Sequence, residues 1–499
     1  MPETSPQGRG GLKGALQELA GKGLVYGLGA SFTGLVSFIL IPFFTSRLSA
    51  TEYGRYAIAE MVLNLILVLL ALGMNVAILA RYPSVAPSDR DQFFGSILSF
   101  MLLWTMAFEV VFIGLARLFG RTVLPVLDMR MFALIAAIST LETTWLLFAT
   151  LYRAKGAAWQ YIGASALQAG VGLGATLYLI TQRGYRDDGI LVGRLVGDAT
   201  VFGVALVPQL GRYRLTTHLT PARELLRIGA PLIPATFAAM WVINAPRYLL
   251  QWYGSVADVG VFAMSSKIAG VIQLLFIQPF AMAWMVSLFT IFKRPDAGRI
   301  YARVLTYYVL LGVTLALTVG LLAQVVVPLL AHQRFPLSSG IVVLVALAYV
   351  ASGLMYPLNV GPYVLEQPTK QVPVFVTSGL LIAGAGIVLV RRWGALGGAV
   401  ALLLVYLVQA GLLTRLSQRM YRIAFEWARV ARVLGAVGAA FGLVWLVGRV
   451  AGSPLVRWLL APLFLATVVL ALIAFRVPDP AELAQLRAAA ARLWRARAT

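Results

Sequence analysis

Long apolar stretches separated by short polar connections make up most of the chain. Each stretch is about 18–25 residues long, and a bilayer core of about 30 Å requires about 20 apolar residues per helix. Every backbone amide inside a bilayer must be hydrogen-bonded within the protein, so the crossings are helices or strands of a closed barrel. Barrel strands are about ten residues long and alternate in polarity, whereas these stretches are longer and continuously apolar. The pattern predicts an all-α polytopic membrane protein.

The same pattern predicts about 14 transmembrane helices, each of about 20 residues. Their limits are 23–44, 56–80, 94–116, 131–151, 160–180, 190–208, 229–251, 259–291, 304–330, 340–364, 372–390, 397–414, 430–448 and 456–475. The stretch 259–291 is long for one crossing, and Pro279 is expected to kink or split it.

The longest connection is basic and divides the first twelve spans into two groups of six. We therefore predict two lobes, two additional spans and polar ends. The segments are a cytoplasmic N-terminal segment 1–22, an N-lobe 23–208, a basic linker 209–228, a C-lobe 229–414, two further spans in 430–475 and a basic tail 476–499. The tail pattern is typical of an amphipathic surface helix, with a solvated basic tail as the alternative.

Composition supports the membrane assignment. Hydrophobic residues form 60% of the chain, charged residues 12%, and the mean hydropathy is +0.84. The net charge of +22 lies mainly between the apolar stretches, where it sets topology, so no nucleic-acid partner is expected. Cysteine is absent, and the two histidines, His218 and His332, lie far apart in polar connections. We predict no metal site, no cofactor and no catalytic residue.

Basic residues also predict orientation. With a cytoplasmic N-terminus, roughly two thirds of the 41 Lys and Arg residues fall in cytoplasmic segments. Both termini are then cytoplasmic, and the expected location is the cell (inner) membrane.

A short internal repeat follows the first and seventh spans. Segments 49–57 and 255–263 share a serine, an acid, a glycine, an aromatic residue and an alanine in register. Six spans separate the two copies, so both point in the same direction across the membrane. The repeat predicts two parallel six-helix lobes related by an axis along the membrane normal, with a cavity between them.

Charged residues inside the predicted spans mark candidate functional positions, because a charge at the bilayer centre costs about 2.5–3.5 kcal/mol. Arg194 and Asp198 are four residues apart, so we expect them to pair within one helix. Glu109 and Glu142 fit three roles that the sequence does not separate, namely buried acceptor, helix-end residue and proton carrier. Glu60 is a further acid of this kind.

Four cations form a second group. Arg247 and Lys267 open the second lobe, and neither has an acid within one turn of its own helix. Arg47 and Arg81 occupy the corresponding helices of the first lobe. Lining a shared cavity, these groups would suit phosphate, which guanidinium binds bidentately. The alternative for Arg47 and Arg81 is interfacial snorkelling. The polar residues expected in the same cavity are Asn75 and Asn244.

Two sets of segments have a familiar order and spacing, namely 41–49, 52–56, 72–77 and 81–82 in the first half, and 229–234, 247–250, 259–262 and 267–269 in the second. These segments resemble the oligosaccharide flippases (Wzx-type) of the polysaccharide transport family. The resemblance covers about the first 300 residues; beyond them only the spacing of apolar stretches matches.

The resemblance implies the fold of the multidrug/oligosaccharidyl-lipid/polysaccharide exporter superfamily, with two six-helix bundles and alternating access. It implies a polyprenyl-pyrophosphate-linked oligosaccharide as substrate, with membrane lipids and a polysaccharide polymerase and ligase as partners. Relatives often carry an acid just before the arginine that matches Arg247, where this chain has Pro246. A role for that acid is therefore not transferred.

Two other functions stay open. An ion-coupled drug exporter of the same fold would need acids in the cavity, and the sequence offers more cations than acids there. A membrane glycosyltransferase or polymerase would need a long outer loop with acids or histidines, which the sequence lacks.

Overall fold

A computed structural model describes residues 40–213, 216, 220–330, 337–450, 454–475 and 477 of the chain. Within these ranges the protein is helical and contains no strand. The helices of the first half are α1 Ile41–Arg47, α2 Ala50–Ala71, α3 Met74–Arg81, α4 Arg90–Val123, α5 Met129–Ala154, α6 Ala158–Gln182, α7 Asp187–Val201, α8 Thr220–Gly229, α9 Ile233–Tyr253 and α10 Val256–Ala269. Those of the second half are α11 Gln278–Phe292, α12 Ala297–Leu330, α13 Ser339–Gly353, α14 Val372–Met420, α15 Trp427–Val450 and α16 Pro454–Ala474.

These helices confirm the predicted all-α polytopic fold. Ten of them, with their direct continuations, are long and apolar enough to cross a membrane, and the bent pair α8 and α9 raises the number to 11 in the described ranges. The predicted number of 14 stays a prediction. Most of span 23–44 and nearly all of the tail 476–499 lie outside the described residues, as do His218 and His332.

Contacts group the chain into two compact units. Unit 1 comprises Met1–Lys267, Ala331–Pro336 and Pro368–Val405, and unit 2 comprises Ile268–Leu330, Leu337–Gln367 and Tyr406–Thr499. This grouping rests on packing rather than on internal symmetry. The lobe limits 23–208 and 229–414 stay a prediction.

In unit 1 the two copies of the repeat fold alike. Ser49 caps α2 through a capping box, in which its hydroxyl accepts from the Glu52 amide and the Glu52 carboxylate accepts from the Ser49 amide. Ser255 and Asp258 form the same reciprocal pair at the start of α10, with distances of 3.0 and 3.1 Å. Each box satisfies two free amides of a helix N-terminus, which explains why serine and an acid recur at this spacing.

The repeated glycines bring α2 and α10 into backbone contact. A Cβ on Gly54 would stand 2.0 Å from the Val256 carbonyl oxygen, and one on Gly260 would stand 1.9 Å from the Ala50 carbonyl oxygen. Each copy therefore contacts the other through the same surface, which is the signature of a local two-fold relation. Glycine is required at both positions because a side chain would separate the helices.

Side-chain contacts show which connections of unit 1 lie at the same end of its helices. Arg55 pairs with Asp187 at 3.1 Å and Arg130 with Asp188 at 2.9 Å, joining connections that the topology placed together outside. At the opposite end, Arg212 pairs with Asp91 at 3.0 Å, joining connections that were placed in the cytoplasm. The alternation of sides agrees with these contacts, whereas the end that faces the cytoplasm stays a prediction.

Three helices contain a proline or a glycine that bears on the predicted spans. The helix α9 is continuous through Asn244 and Pro246. Pro279 does not break a helix; it lies in the first turn of α11, which follows the π-helical turn Gln273–Ile277. Gly394, at φ 52°, ends one helix inside α14 and begins another, and its position agrees with the predicted boundary between spans 372–390 and 397–414.

Unit 2 has an apolar and aromatic interior. Its core includes Trp284, Tyr301, Phe464 and many aliphatic side chains. The buried polar ends of its aromatic residues bond to the backbone: Tyr301 donates to the Leu288 carbonyl at 2.8 Å, and Tyr308 to the Val350 carbonyl at 3.0 Å.

Candidate functional site

A cavity of about 470 Å³ lies within unit 1, a volume typical of small-molecule sites. Six helices contribute its walls. The lining residues with polar or aromatic side chains are Phe44, Tyr56, Glu60, Glu142, Trp145, Tyr161, Ser165, Gln168, Thr176, Arg194, Asp198 and Lys267.

One face of α6 forms much of the wall. The residues along it are Tyr161, Ser165, Gln168, Ala169, Gly172, Leu173 and Thr176, which recur at helical spacing. Sequence analysis missed this face, because none of its members carries a charge. The signal was present as a stripe of hydroxyl, amide and small residues along an otherwise apolar span, which indicates a surface that does not face lipid.

Close packing fixes α6 against α7. A Cβ on Gly197 would stand 2.5 Å from the Gln168 carbonyl oxygen, and one on Gly193 would stand 2.0 Å from the Thr176 hydroxyl. Of the four α6 glycines, Gly172 makes such a contact, whereas Gly163, Gly170 and Gly174 face open space. The two helices therefore hold the side chains on their cavity faces at fixed positions.

Lys267 lies in the cavity lining inside an aromatic cage. Its Nζ is 5.6 Å from the ring centroids of Phe44 and Tyr53 and 5.9 Å from that of Tyr56. Ring faces attract a cation without neutralising its formal charge. No carboxylate of the described chain lies within ion-pair distance of Lys267. A cation that three rings stabilise thus remains able to bind an anion.

A charged network adjoins this cage. Glu60 accepts from the Tyr56 hydroxyl at 3.0 Å and pairs with Arg247 at 3.0 Å. The sequence has no acid within one turn of Arg247 on its own helix. Its partner comes from α2, 187 positions away in sequence, and only the fold brings the two together.

The predicted ion pair between Arg194 and Asp198 is wrong. Arg194 pairs with Glu142 of α5 at 2.6 Å, and Asp198 accepts from the Gln168 amide of α6 at 2.6 Å. Helical spacing allows a pair four residues apart but does not require it. Here the neighbouring helices offer each side chain a partner at shorter range.

The other predicted residues lie elsewhere. Arg47 and Arg81 are exposed in the last turns of α1 and α3, which agrees with snorkelling rather than with a cavity position. Asn244 is buried and donates to the Met240 carbonyl at 2.8 Å, so its polar group is satisfied within α9. Asn75 is partly buried on α3, away from the lining. Glu109 accepts from the Ser139 hydroxyl at 2.5 Å, between α4 and α5.

The lining therefore differs in charge from the expectation. Of the four predicted cations, Lys267 lines the cavity in the described part of the chain, and Arg194 joins it. Three acids share the lining: Glu60, Glu142 and Asp198. Two of these acids are paired with arginines, which leaves Lys267 and Asp198 as opposite charges without an ion-pair partner among the described residues. No cluster of three or more metal-ligating side chains occurs in those ranges.

This geometry offers four kinds of contact to a ligand. Lys267 can bind an anion, Asp198 can accept hydrogen bonds, the α6 face supplies hydroxyl and amide groups, and Trp145 and Tyr161 supply aromatic faces. Such a lining can bind a polar ligand that offers an anionic group to Lys267 and hydrogen-bond donors to Asp198.

Comparison with solved structures identifies the fold. The chain is similar to a lipid II flippase, MurJ, in an inward closed conformation, with a TM-score of 0.73 over 91% of this chain and 99% of that one at 11% identity.

Multidrug transporters of the MATE family and the MOP superfamily are also similar. An inward-facing structure has a TM-score of 0.53 at 13% identity over 80% of this chain and 95% of that one, and an outward-facing one has a TM-score of 0.52 at 14% identity over 83% and 96%. No protein-family model matches the sequence, and no curated protein matches it. The chain therefore has the fold shared by these flippases and transporters, as the sequence predicted.

Proposed function

We propose that this protein moves a polyprenyl-pyrophosphate-linked oligosaccharide from the cytoplasmic to the outer leaflet by alternating access. It acts as a flippase rather than as an enzyme. The observation that carries the proposal is Lys267, a cation that lines a polar cavity among membrane-spanning helices and has no ion-pair partner in the described chain. A cation at such a position is costly unless water or an anionic ligand solvates it.

A lipid-linked sugar diphosphate fits the surroundings of Lys267. Its diphosphate is the anion, its sugars carry the hydroxyl groups that the α6 face and Asp198 can bond, and its lipid chain stays in the bilayer. The similarity of the whole chain to a lipid II flippase supports the same class of substrate. Such a protein would work in the cytoplasmic membrane with both termini in the cytoplasm, and a polymerase and a ligase would use its product.

One observation favours a second function. Three acids line the cavity, and one of them, Asp198, is buried. An ion-coupled exporter of cationic compounds would use such acids, and the MATE-like fold is compatible with this. The pairing of Glu60 and Glu142 with arginines leaves one acid for that purpose, which makes the flippase the better proposal.

Substitution of Lys267 tests the choice. We expect Lys267→Glu to abolish translocation and Lys267→Arg to retain a large part of it, because the sign of the charge decides the binding of a diphosphate. The measurement is translocation of fluorescent undecaprenyl pyrophosphoryl glucose across vesicles that contain the purified protein. Export of a cationic dye by the same vesicles is measured in parallel.

The outcomes separate the two functions. The flippase is supported if the wild-type protein translocates the lipid and Lys267→Glu translocates less of it. Transport of the dye alone, unchanged or increased in Lys267→Glu and driven by an ion gradient, would contradict it. Lys293→Glu is the matched control, because Lys293 is an exposed residue that follows α11.

A further inference from the structure

Asp198 carries a carboxylate oxygen that no described residue satisfies. The side chain is 4% exposed and lines the cavity. Its Oδ1 accepts from the Gln168 amide at 2.6 Å, whereas its Oδ2 is buried without a hydrogen-bond partner. A carboxylate oxygen can accept two hydrogen bonds, and leaving one unsatisfied in a buried place is costly. Asp198 thus belongs to the cavity lining and has a buried acceptor position that no described donor fills.

The described helices around Asp198 hold its neighbours in other contacts. Arg194, one turn earlier on α7, is held by Glu142 at 2.6 Å through two of its nitrogens. The close contact of Gly197 with the backbone at Gln168 fixes α7 against α6 at this level. The acceptor is therefore held in place, and among the described residues no donor fills its free position.

Aromatic rings occupy the same cavity. Trp145 and Tyr161 stack with an angle of 11° between their planes and 6.2 Å between centroids, and both belong to the lining. Ser165 lies one turn from Tyr161 on the cavity face of α6. The cavity lining thus combines aromatic rings with a carboxylate, an amide and a hydroxyl. A pyranose ring has matching groups, because its C–H faces are apolar and its hydroxyls are donors.

We propose that Asp198, Gln168, Trp145 and Tyr161 form a sugar subsite, in which the free capacity of the Asp198 carboxylate accepts hydrogen bonds from neighbouring hydroxyls of a pyranose. The subsite rests on the proposed flippase function. Two parts of the cavity then bind two parts of the ligand: Lys267 binds the diphosphate, and the Asp198 subsite binds the sugar. The subsite distinguishes a lipid that carries a sugar from the bare lipid diphosphate.

The experiment compares the affinities of two probes for the full-length protein in lipid nanodiscs. The probes are undecaprenyl pyrophosphate and undecaprenyl pyrophosphoryl glucose, and each apparent Kd is obtained from the ligand-dependent rise in unfolding temperature. We expect the wild-type protein to bind the sugar-bearing lipid roughly tenfold more tightly, which corresponds to about 1.4 kcal/mol. In Asp198→Ala that ratio should fall to about one, with the Kd of the bare lipid unchanged, because the hydroxyls lose their acceptor.

Further variants make the test independent of one substitution. Lys267→Ala should weaken both lipids and keep the ratio. Trp145→Leu should lower the ratio of the two affinities. Trp159→Leu is its control and should leave that ratio unchanged, since Trp159 lies on α6 and is 82% exposed. Asp296→Asn, an exposed acid that pairs with Arg294, is the control for Asp198.

Failure of the subsite differs from failure of the proposed function. Equal affinity of the wild-type protein for the two lipids, or a tenfold ratio that persists in both Asp198→Ala and Trp145→Leu, would overturn the sugar subsite and leave the flippase standing. If neither lipid binds, the sugar subsite and the proposed flippase function are both overturned.

Discussion

The interiors of the two units solve the same problem differently. Both bury polar groups among membrane-spanning helices, where an unsatisfied group is expensive. In unit 2 the aromatic polar groups bond to backbone carbonyls, as Trp284 does to the Tyr356 carbonyl at 2.9 Å. Its buried Arg429 lies in the first turn of α15, where Glu426 and the Val477 carbonyl satisfy it.

Unit 1 instead places charges along the middle of its helices. Two acids are matched by arginines, and Lys267 and Asp198 remain open to the cavity. The core cluster of unit 2 is apolar and aromatic. The difference supports the proposal that the ligand binds in the cavity of unit 1.

The largest expected effect comes from breaking one matched pair. Arg194→Ala leaves Glu142 as a charge with 14% exposure and without its partner. Removal of one member of a buried pair costs about 3 kcal/mol. We expect Arg194→Ala to lower the unfolding temperature of the purified protein markedly, and the double variant Arg194→Gln with Glu142→Gln to restore much of it. A single variant as stable as the wild-type protein would show that water in the cavity, not the pairing, accommodates the charges.

Local and periodic features of unit 1 were predictable from sequence. Apolar length gave the all-α fold, and the spacing of serine, acid and glycine in 49–57 and 255–263 gave two equivalent helix starts. The reciprocal contact of Gly54 and Gly260 shows why that spacing recurs, because a capping box fixes each helix start and a glycine one turn later admits the other helix.

Partner choice across helices was not predictable. The pairs Arg247–Glu60 and Arg194–Glu142 join positions far apart in sequence, and a single sequence contains no distance between them. The aromatic cage of Lys267 was missed for the same reason. A charge inside a span indicated a polar environment correctly, but its sign did not indicate the net charge of the cavity, which depends on the helices that surround it.

One tyrosine in each unit provides a matched comparison, for which we expect an effect of intermediate size. Tyr308→Phe in unit 2 and Tyr56→Phe in unit 1 each remove one hydrogen bond, to the Val350 carbonyl and to Glu60 respectively. Each should cost about 1 kcal/mol of stability. We expect translocation to fall in Tyr56→Phe, whose hydroxyl positions Glu60 beside the Lys267 cage, and to stay unchanged in Tyr308→Phe. Equal translocation by the two variants would remove the functional distinction between the units.

The smallest effect is expected at the end of unit 1, where ion pairs are exposed. Arg130 pairs with Asp188 at 2.9 Å, with side-chain exposures of 57% and 21%. Water screens such a pair, and exposed pairs contribute about 0–1 kcal/mol. Arg130→Gln should therefore leave both the unfolding temperature and translocation near those of the wild-type protein, and added salt should abolish any residual difference. A loss as large as that of Arg194→Ala would show that these connections hold the helices of the cavity in place, so that the charges of unit 1 would be structural at its end as well as in its interior.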